Sequence, residues 1–212
     1  MVLPIEPGRD CAECPRLVEY REASRAKQPT WHNAPVESAG PINARLLIAG
    51  LAPGMKGANR TGRPFTGDFA GDLLYPTLVK HGFADGTYGR EADDGLTLTD
   101  CRITNAVRCV PPQNKPTGAE VLACRPFLQN EIAAMADLRV ILALGGIAHQ
   151  AVLRTLGLKV SAHKFAHRAC YEVAEGVMMI DSYHCSRLNT NTGRLTEAMF
   201  HDVFENIHRL MG

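Results

Sequence analysis

At 212 residues, with 45% hydrophobic and 21% charged side chains, the chain has the size and composition of one globular domain, and no apolar run is long enough to span a bilayer. A net charge of +1 gives little long-range steering, so composition alone makes no case for a polyanionic partner. The opening residues MVLPIEPGRD lack a charged region followed by an apolar one, so a cytoplasmic protein without an export signal is expected.

Cys11 and Cys14 form a C-x2-C pair, and Pro15 suits the first position of a helix running to about Lys27. That places the first thiols at a helix N-terminus, where the expected effect is a lowered thiol pKa. Residues 28–43, with Pro29, Pro35, Pro41 and the sole tryptophan Trp31, read as an ordered loop on the core. Residues 46–51 are a short apolar run, suited to a strand buried on both faces of a parallel sheet. The following stretch carries Gly54, Gly57, Gly62, Gly67 and Gly71, stiffened by Pro53 and Pro64. Arg60, Arg63, Phe65, Thr66 and Asp68 are set into it. A buried strand feeding a glycine-rich loop is how open α/β sheets present a ligand site.

A helix is predicted over residues 71–81, with Leu73, Leu74 and Leu78 on one face. Residues 83–96 are turn-rich and acidic and read as a solvated excursion. Residues 101–107 form the second strand, in which Asn105 is a polar amide that needs partners. Thr117 and Glu120 make a capping box for a helix reaching about Met135 and carrying Cys124. Residues 139–144 are the third strand, and Gly145-Gly146 turns into a helix in which His149 reads as a packing residue. Residues 169–174 and 177–181 flank Glu175-Gly176 as a hairpin whose second arm is the fourth core strand. His184 follows that strand, and Thr196 caps a last amphipathic helix with His201 and His208 on its surface. Cys101 and Cys170 read as core residues. The alternation predicts a single α/β domain, a three-layer α/β/α sandwich around a four-stranded parallel sheet. Its strand ends would gather the glycine-rich loop, Asn105, Gly145 and His184 in one crevice.

Two basic groups stand out, Lys56, Arg60 and Arg63 in the glycine-rich stretch and His163, Lys164, His167 and Arg168 further on. Only a convergent site would make them phosphate contacts, and of these Arg60 and Arg63 are the candidates for contacting DNA. In the crevice, an amide, the Phe65 ring, a histidine donor and the Asp68 carboxylate are what reading one extruded base requires. GLAPGMKG lacks the ending of a P-loop. Seven cysteines are an odd count for a disulfide scaffold, but Cys11, Cys14, Cys109 and Cys124 could meet if the N-terminus folds back. An iron-sulfur cluster or a zinc ion is the natural occupant.

GLAPG, ANRTGRPFTGD, TNAVRC and HCSRLNTNTGRLT together resemble the type B (family 5) uracil-DNA glycosylases. The resemblance implies a monomeric repair enzyme that acts on double-stranded DNA containing a deaminated base. It would hydrolyse the N-glycosidic bond of uracil, and of bases such as hypoxanthine, leaving an abasic site. It implies a 4Fe-4S cluster on Cys11, Cys14, Cys109 and Cys124, and raises iron-sulfur above zinc. Phe65 would stack on the base, Asn105 would read its polar edge, and His184 would donate to its carbonyl oxygen. Gly50, Ala52 and Gly54 would frame the base and its sugar, and Ser186, Arg187 and Leu188 would enter the DNA with Arg187 and Leu188 as the wedge. Relatives often carry a polar residue where this chain has Leu51 and Ala52, so Asp68 is the candidate carboxylate beside the sugar. Its structural alternative is a helix cap. Cys185 stands where the family has proline, which would have stiffened the loop after His184. A non-catalytic damage sensor and a hydrolase of free nucleosides are the rival readings.

Overall fold

The apolar runs predicted as strands pair side by side through the middle of the molecule. The computed structural model describes residues 6–212, so the first part of the opening stretch read for an export signal lies outside the described residues. In chain order the elements begin with α1 (Pro15–Lys27), β1 (Leu46–Gly50), α2 (Ala58–Thr61), α3 (Phe69–Lys80), β2 (Ala84–Asp85) and β3 (Thr97–Leu98). Then come β4 (Cys101–Asn105), α4 (Gly118–Ala134), β5 (Val140–Leu144), α5 (Gly146–Thr155), β6 (Cys170–Ala174), β7 (Val177–Ser182), α6 (Arg187–Asn191) and α7 (Glu197–Met211). No described helix is long and apolar enough to cross a membrane.

The main sheet has the order β4-β1-β5-β7-β6. Its first four strands are parallel, as the alternation of strands and helices predicts. The fifth corrects the expected four-stranded sheet: β6 pairs antiparallel with β7 and stays in the sheet as its edge. The two arms of a hairpin share one ladder, so the arm beside a core strand extends the sheet. Cys170, expected in the core, is exposed on this edge.

Every residue of β1, β4 and β5 is buried. Alternate side chains feed two separate cores, which is the pleat at work. Leu46, Ile48, Ile103, Val140, Leu142 and Ile180 pack under α3 and α7, against Leu74, Leu78, Phe200 and Phe204. Leu47, Ala49, Ile141, Ala143 and Met179 face the other layer, where Leu128 of α4 and Val152 of α5 cover them. Thr117 and Glu120 form the expected reciprocal capping box at the start of α4. The residues of α1 pack by Leu17 against Val107 and Cys124, bringing the N-terminal segment back onto the end of β4.

Register aligns the strand ends. Gly50 pairs with Asn105, Ala143 with Asp181 and Leu144 with Ser182, so the chain leaves β1, β4, β5 and β7 at one level. The loops that follow these strands meet above that row.

Candidate active site

Above Gly50 and Asn105 lies a cavity of about 340 Å³ lined by Leu51, Ala52, Pro53, Gly54, Phe65, Asp68, Asn105, Asn114, His184 and Ser186, among others. This size falls in the range of small-molecule sites. Gly50 can be nothing larger, because a Cβ there would sit 2.5 Å from both Asn105 Oδ1 and the Phe65 ring. Those two side chains therefore meet over a bare backbone. Asn105 is 3% exposed, and its amide has no hydrogen-bond partner among the described residues. A buried amide is ordinarily paired, so an open one at a cavity wall is the kind of group a ligand completes.

Phe65 holds a left-handed backbone, with φ of +53°, which a bulky residue adopts only under constraint. The constraint is visible. The Tyr75 hydroxyl donates to the Pro64 carbonyl at 2.6 Å and the Tyr88 hydroxyl to the Phe65 carbonyl at 3.3 Å, and the two tyrosine rings stack at 4.7 Å. Arg63 lies 4.9 Å over Tyr75, donates to Thr66 at 2.7 Å, and forks onto both oxygens of Asp94 at 2.7 and 2.8 Å. The Arg63 fork and backbone N–H groups hold the Asp94 carboxyl down to about 2. Two expectations change here. Arg63 is a clamp for the Phe65 turn, not a free phosphate contact, and residues 83–96 are not simply solvated, since Tyr88 and Asp94 brace that turn.

Asp68 both shapes the loop and lines the cavity. Its Oδ1 accepts from the N–H groups of Ala70 and Gly71 at 3.1 and 3.3 Å, capping α3, which begins at Phe69, two residues before the predicted start. Its Oδ2 has no partner among the described residues, and a Cβ on Gly57 would lie 2.5 Å from it. Burial raises the Asp68 pKa, against the two backbone hydrogen bonds that lower it.

His184 leaves the end of β7 with its ring centre 6.1 Å from that of Phe65. Its Nδ1 is sealed off without a partner, leaving Nε2 as the ring nitrogen open to the cavity. Burial lowers its pKa, which favours a neutral imidazole. Proline is absent after it, yet the placement is fixed: the Asn189 amide donates to the His184 carbonyl at 2.8 Å, and Cys185 is fully buried beneath. Ser186 caps the short helix α6, where a loop was expected, and this helix presents Leu188 at 72% exposure. Arg187 lies beside it, 5.2 Å over the Phe69 ring. Arg60 sits near the surface with its guanidinium paired to Glu91.

The sequence model of the uracil DNA glycosylase superfamily matches residues 37–208. The chain belongs to that superfamily. It is 45% identical to the type-5 uracil-DNA glycosylase of Thermus thermophilus over 208 residues, 95% of this chain and 94% of that one. It is 44% identical to the type-5 enzyme of Mycobacterium leprae, covering 95% of this chain and 92% of the relative. Against the type-5 enzyme of Pyrobaculum aerophilum the identity is 42%, over 88% and 83% of the two chains.

Within this superfamily member, Cys11, Cys14, Cys109 and Cys124 line a second cavity, together with Leu17, Arg21 and Arg108. The expected lowering of the Cys14 pKa by its helix is reversed, because burial, then neighbouring thiols and acidic groups, push it up to about 11. Burial does the same to Cys109 and Cys124. The Arg108 backbone N–H lies 3.3 Å from the Cys124 sulfur, and Arg21 donates to the Cys11 carbonyl at 3.1 Å. Among the described residues no three His, Cys, Asp or Glu side chains are gathered closely enough to hold a single metal ion.

Sequence reading missed Asn114, which lines the mouth of the base-sized cavity, and Asn189, which fixes His184. Asn189 had a signal, an amide within helical reach of Ser186 in a segment already singled out. Asn114 had only its place in a proline-rich loop. His149 is the satisfied packing residue expected, bonded to Asp181 at 2.8 Å and to the His163 carbonyl at 2.9 Å. His208 is exposed as expected, whereas His201 is half-buried and pairs with His81 at 3.0 Å.

Proposed function

We propose that the protein excises uracil from DNA by hydrolysing its N-glycosidic bond, with the base held in the cavity above Gly50. The observation that carries this reading is the buried, unpaired Asn105 amide set against the Phe65 ring in a cavity shared with His184. A flipped uracil offers an N–H flanked by two carbonyls on its pairing edge, and a single amide carries the acceptor and donor that match the N–H and one of those carbonyls. Phe65 stacks on the ring, held in place by its braced turn. Neutral His184 donates from Nε2 to a base carbonyl as negative charge develops there, a stabilisation that grows toward the transition state. Asp68 Oδ2 faces the sugar, where a carboxylate favours oxocarbenium character and orients the attacking water. The bond broken joins the sugar to the base, water supplies the hydroxyl and a proton, and an abasic site remains.

Leu188 enters the duplex where the nucleotide leaves it, with Arg187 and Ser186 at the backbone; Arg60 could join them only by giving up its pair with Glu91. Ala52 and Gly54 bring no long side chain into the cavity, which supports hypoxanthine as a second substrate. The test is a set of duplexes carrying uracil or hypoxanthine at one position, treated with alkali after incubation. Strand breaks at both bases are expected, falling about 100-fold for His184→Ala under single-turnover conditions. Tight binding without breaks would sink the catalytic reading in favour of a damage sensor, and release of base from free deoxyuridine would favour a nucleoside hydrolase.

We assign Cys11, Cys14, Cys109 and Cys124, which line the second cavity, to a 4Fe-4S cluster. Four cysteines line this one cavity, and four thiolates are the usual ligand set of such a cluster. Zinc on the same four thiolates is the alternative occupant. When bound, the cluster would fasten the N-terminal segment to the loop after β4. Purified protein is expected to show visible absorbance that bleaches on reduction, with iron by elemental analysis; zinc alone would overturn the assignment.

A further inference from the structure

The second basic strip has no role in the base cavity, and its charges sort unequally. Arg168 is paired with Asp202 at 3.1 Å. His167 accepts from the Tyr183 N–H on Nδ1 at 3.2 Å and stacks on the Tyr183 ring at 4.9 Å, so it is a neutral packing group. The His163 carbonyl is held by His149, whose other ring nitrogen bonds Asp181 inside the core. Lys164 alone in the strip is exposed with no ion-pair partner among the described residues.

The segment is anchored as well as charged. The Tyr171 hydroxyl bonds the Lys164 carbonyl, and His149 holds the carbonyl one residue earlier. Phe165 then packs 3.4 Å from the position a Cβ on Gly146 would take. These contacts bring Phe165 into a cavity of about 260 Å³ with Leu51, Gly146, Tyr183, His184 and Arg194. Leu51 and His184 also line the base cavity, so the two are adjoining. Arg194 lies 4.7 Å over the Tyr183 ring and is likewise exposed without a carboxylate partner among the described residues.

We infer that Lys164 and Arg194 form a second phosphate-contacting locus, which binds the DNA backbone beside the flipped nucleotide on the flank of His184 opposite Ser186. This rests on the proposed action on DNA and extends it. Arg194 lines a cavity that adjoins the base site, and Lys164, on pinned backbone, directly precedes Phe165 in the same wall. A strand whose nucleotide occupies the base cavity must carry its next phosphates over one rim or the other. The α6 side offers Ser186 and Arg187, and this side offers Lys164 and Arg194. Arg194, held over the Tyr183 ring, loses less freedom on binding than a mobile cation would.

The test measures affinity for a duplex holding an uncleavable deoxyuridine analogue across a salt series. Lys164→Gln and Arg194→Gln are each expected to flatten the slope of log affinity against log salt by about 0.9, and the double variant by about twice that. Lys80→Gln is the charge-matched control. It lies at the far end of α3, roughly 18 Å from Asp68 along the helix, and is expected to leave the slope unchanged. A double variant with the wild-type slope, or a control that flattens it equally, would overturn the inference while leaving uracil excision intact. A wild-type protein that neither binds nor cleaves uracil-containing duplex would overturn the proposed function and this locus together. Unfolding midpoints of the variants check that surface charge alone has changed.

Discussion

Glu131→Ala should destabilise the protein by about 3–5 kcal/mol, read as a fall in the urea midpoint at unchanged slope. Glu131 is fully buried on α4 and accepts from two arginines, Arg108 at 2.8 Å and Arg102. Arg108 also donates to Ser38 and to Glu6 at 3.1 Å, and Arg102 to Glu6 at 3.3 Å. Removing Glu131 leaves two buried guanidinium groups with Glu6 as their sole remaining carboxylate, and an unpaired buried charge is far costlier than a lost surface pair. Burial alone would raise the Glu131 pKa, but Arg108, Ser38, Arg102 and Thr104 hold it below the ordinary carboxylate value. With the folded pKa depressed, this stabilisation is present at neutral pH and lost as pH falls through that low value. A loss under about 1 kcal/mol would mean that Glu6 suffices to neutralise the pair.

Asp68→Asn is expected to cut single-turnover uracil excision by about 100-fold while leaving stability at neutral pH equal or slightly higher. Asparagine is as good a helix cap as aspartate, so the bonds to Ala70 and Gly71 survive. The charge does not. Because burial raises the Asp68 pKa, its sign is opposite to that of Glu131: the stability it contributes is full below the unfolded-state pKa and declines as pH rises through the raised value. Wild-type excision should accordingly fall on the acid side at a pH above that of an ordinary aspartate, and this limb should vanish in the variant. Unchanged rates would leave Asp68 as a cap only.

The two predictions rest on features of very different legibility. The four parallel strands, the α4 capping box and the α7 cap were all legible, because periodicity and capping chemistry act over a few residues. The cavity's main members were legible too, since Asn105 is an amide misplaced in an apolar strand and Phe65 is embedded in glycines. What escaped was pairing across distance. The partner of Arg63 is Asp94, 31 positions on, and Arg108 reaches both Glu131, 23 positions on, and Glu6, 102 positions back. No local pattern distinguishes such a carboxylate from a solvated one, so residues 83–96 read as a mere excursion. The edge strand β6 was recognised as a hairpin arm but not as part of the sheet, because sheet membership is likewise decided by a neighbour elsewhere in the chain.

The level row of strand ends has a consequence for how this scaffold could be reshaped. The cavity floor is set by backbone register, Gly50 beside Asn105, while its rim is made of connecting segments such as the one holding Asn114. Loop residues can change without disturbing a ladder, whereas a single insertion in β1 or β4 would turn its side chains to the opposite face. Libraries aimed at new base preferences therefore belong at Asn114 and its neighbours, where diversity costs little folding competence, with the Gly50–Asn105 pair held constant as the chassis.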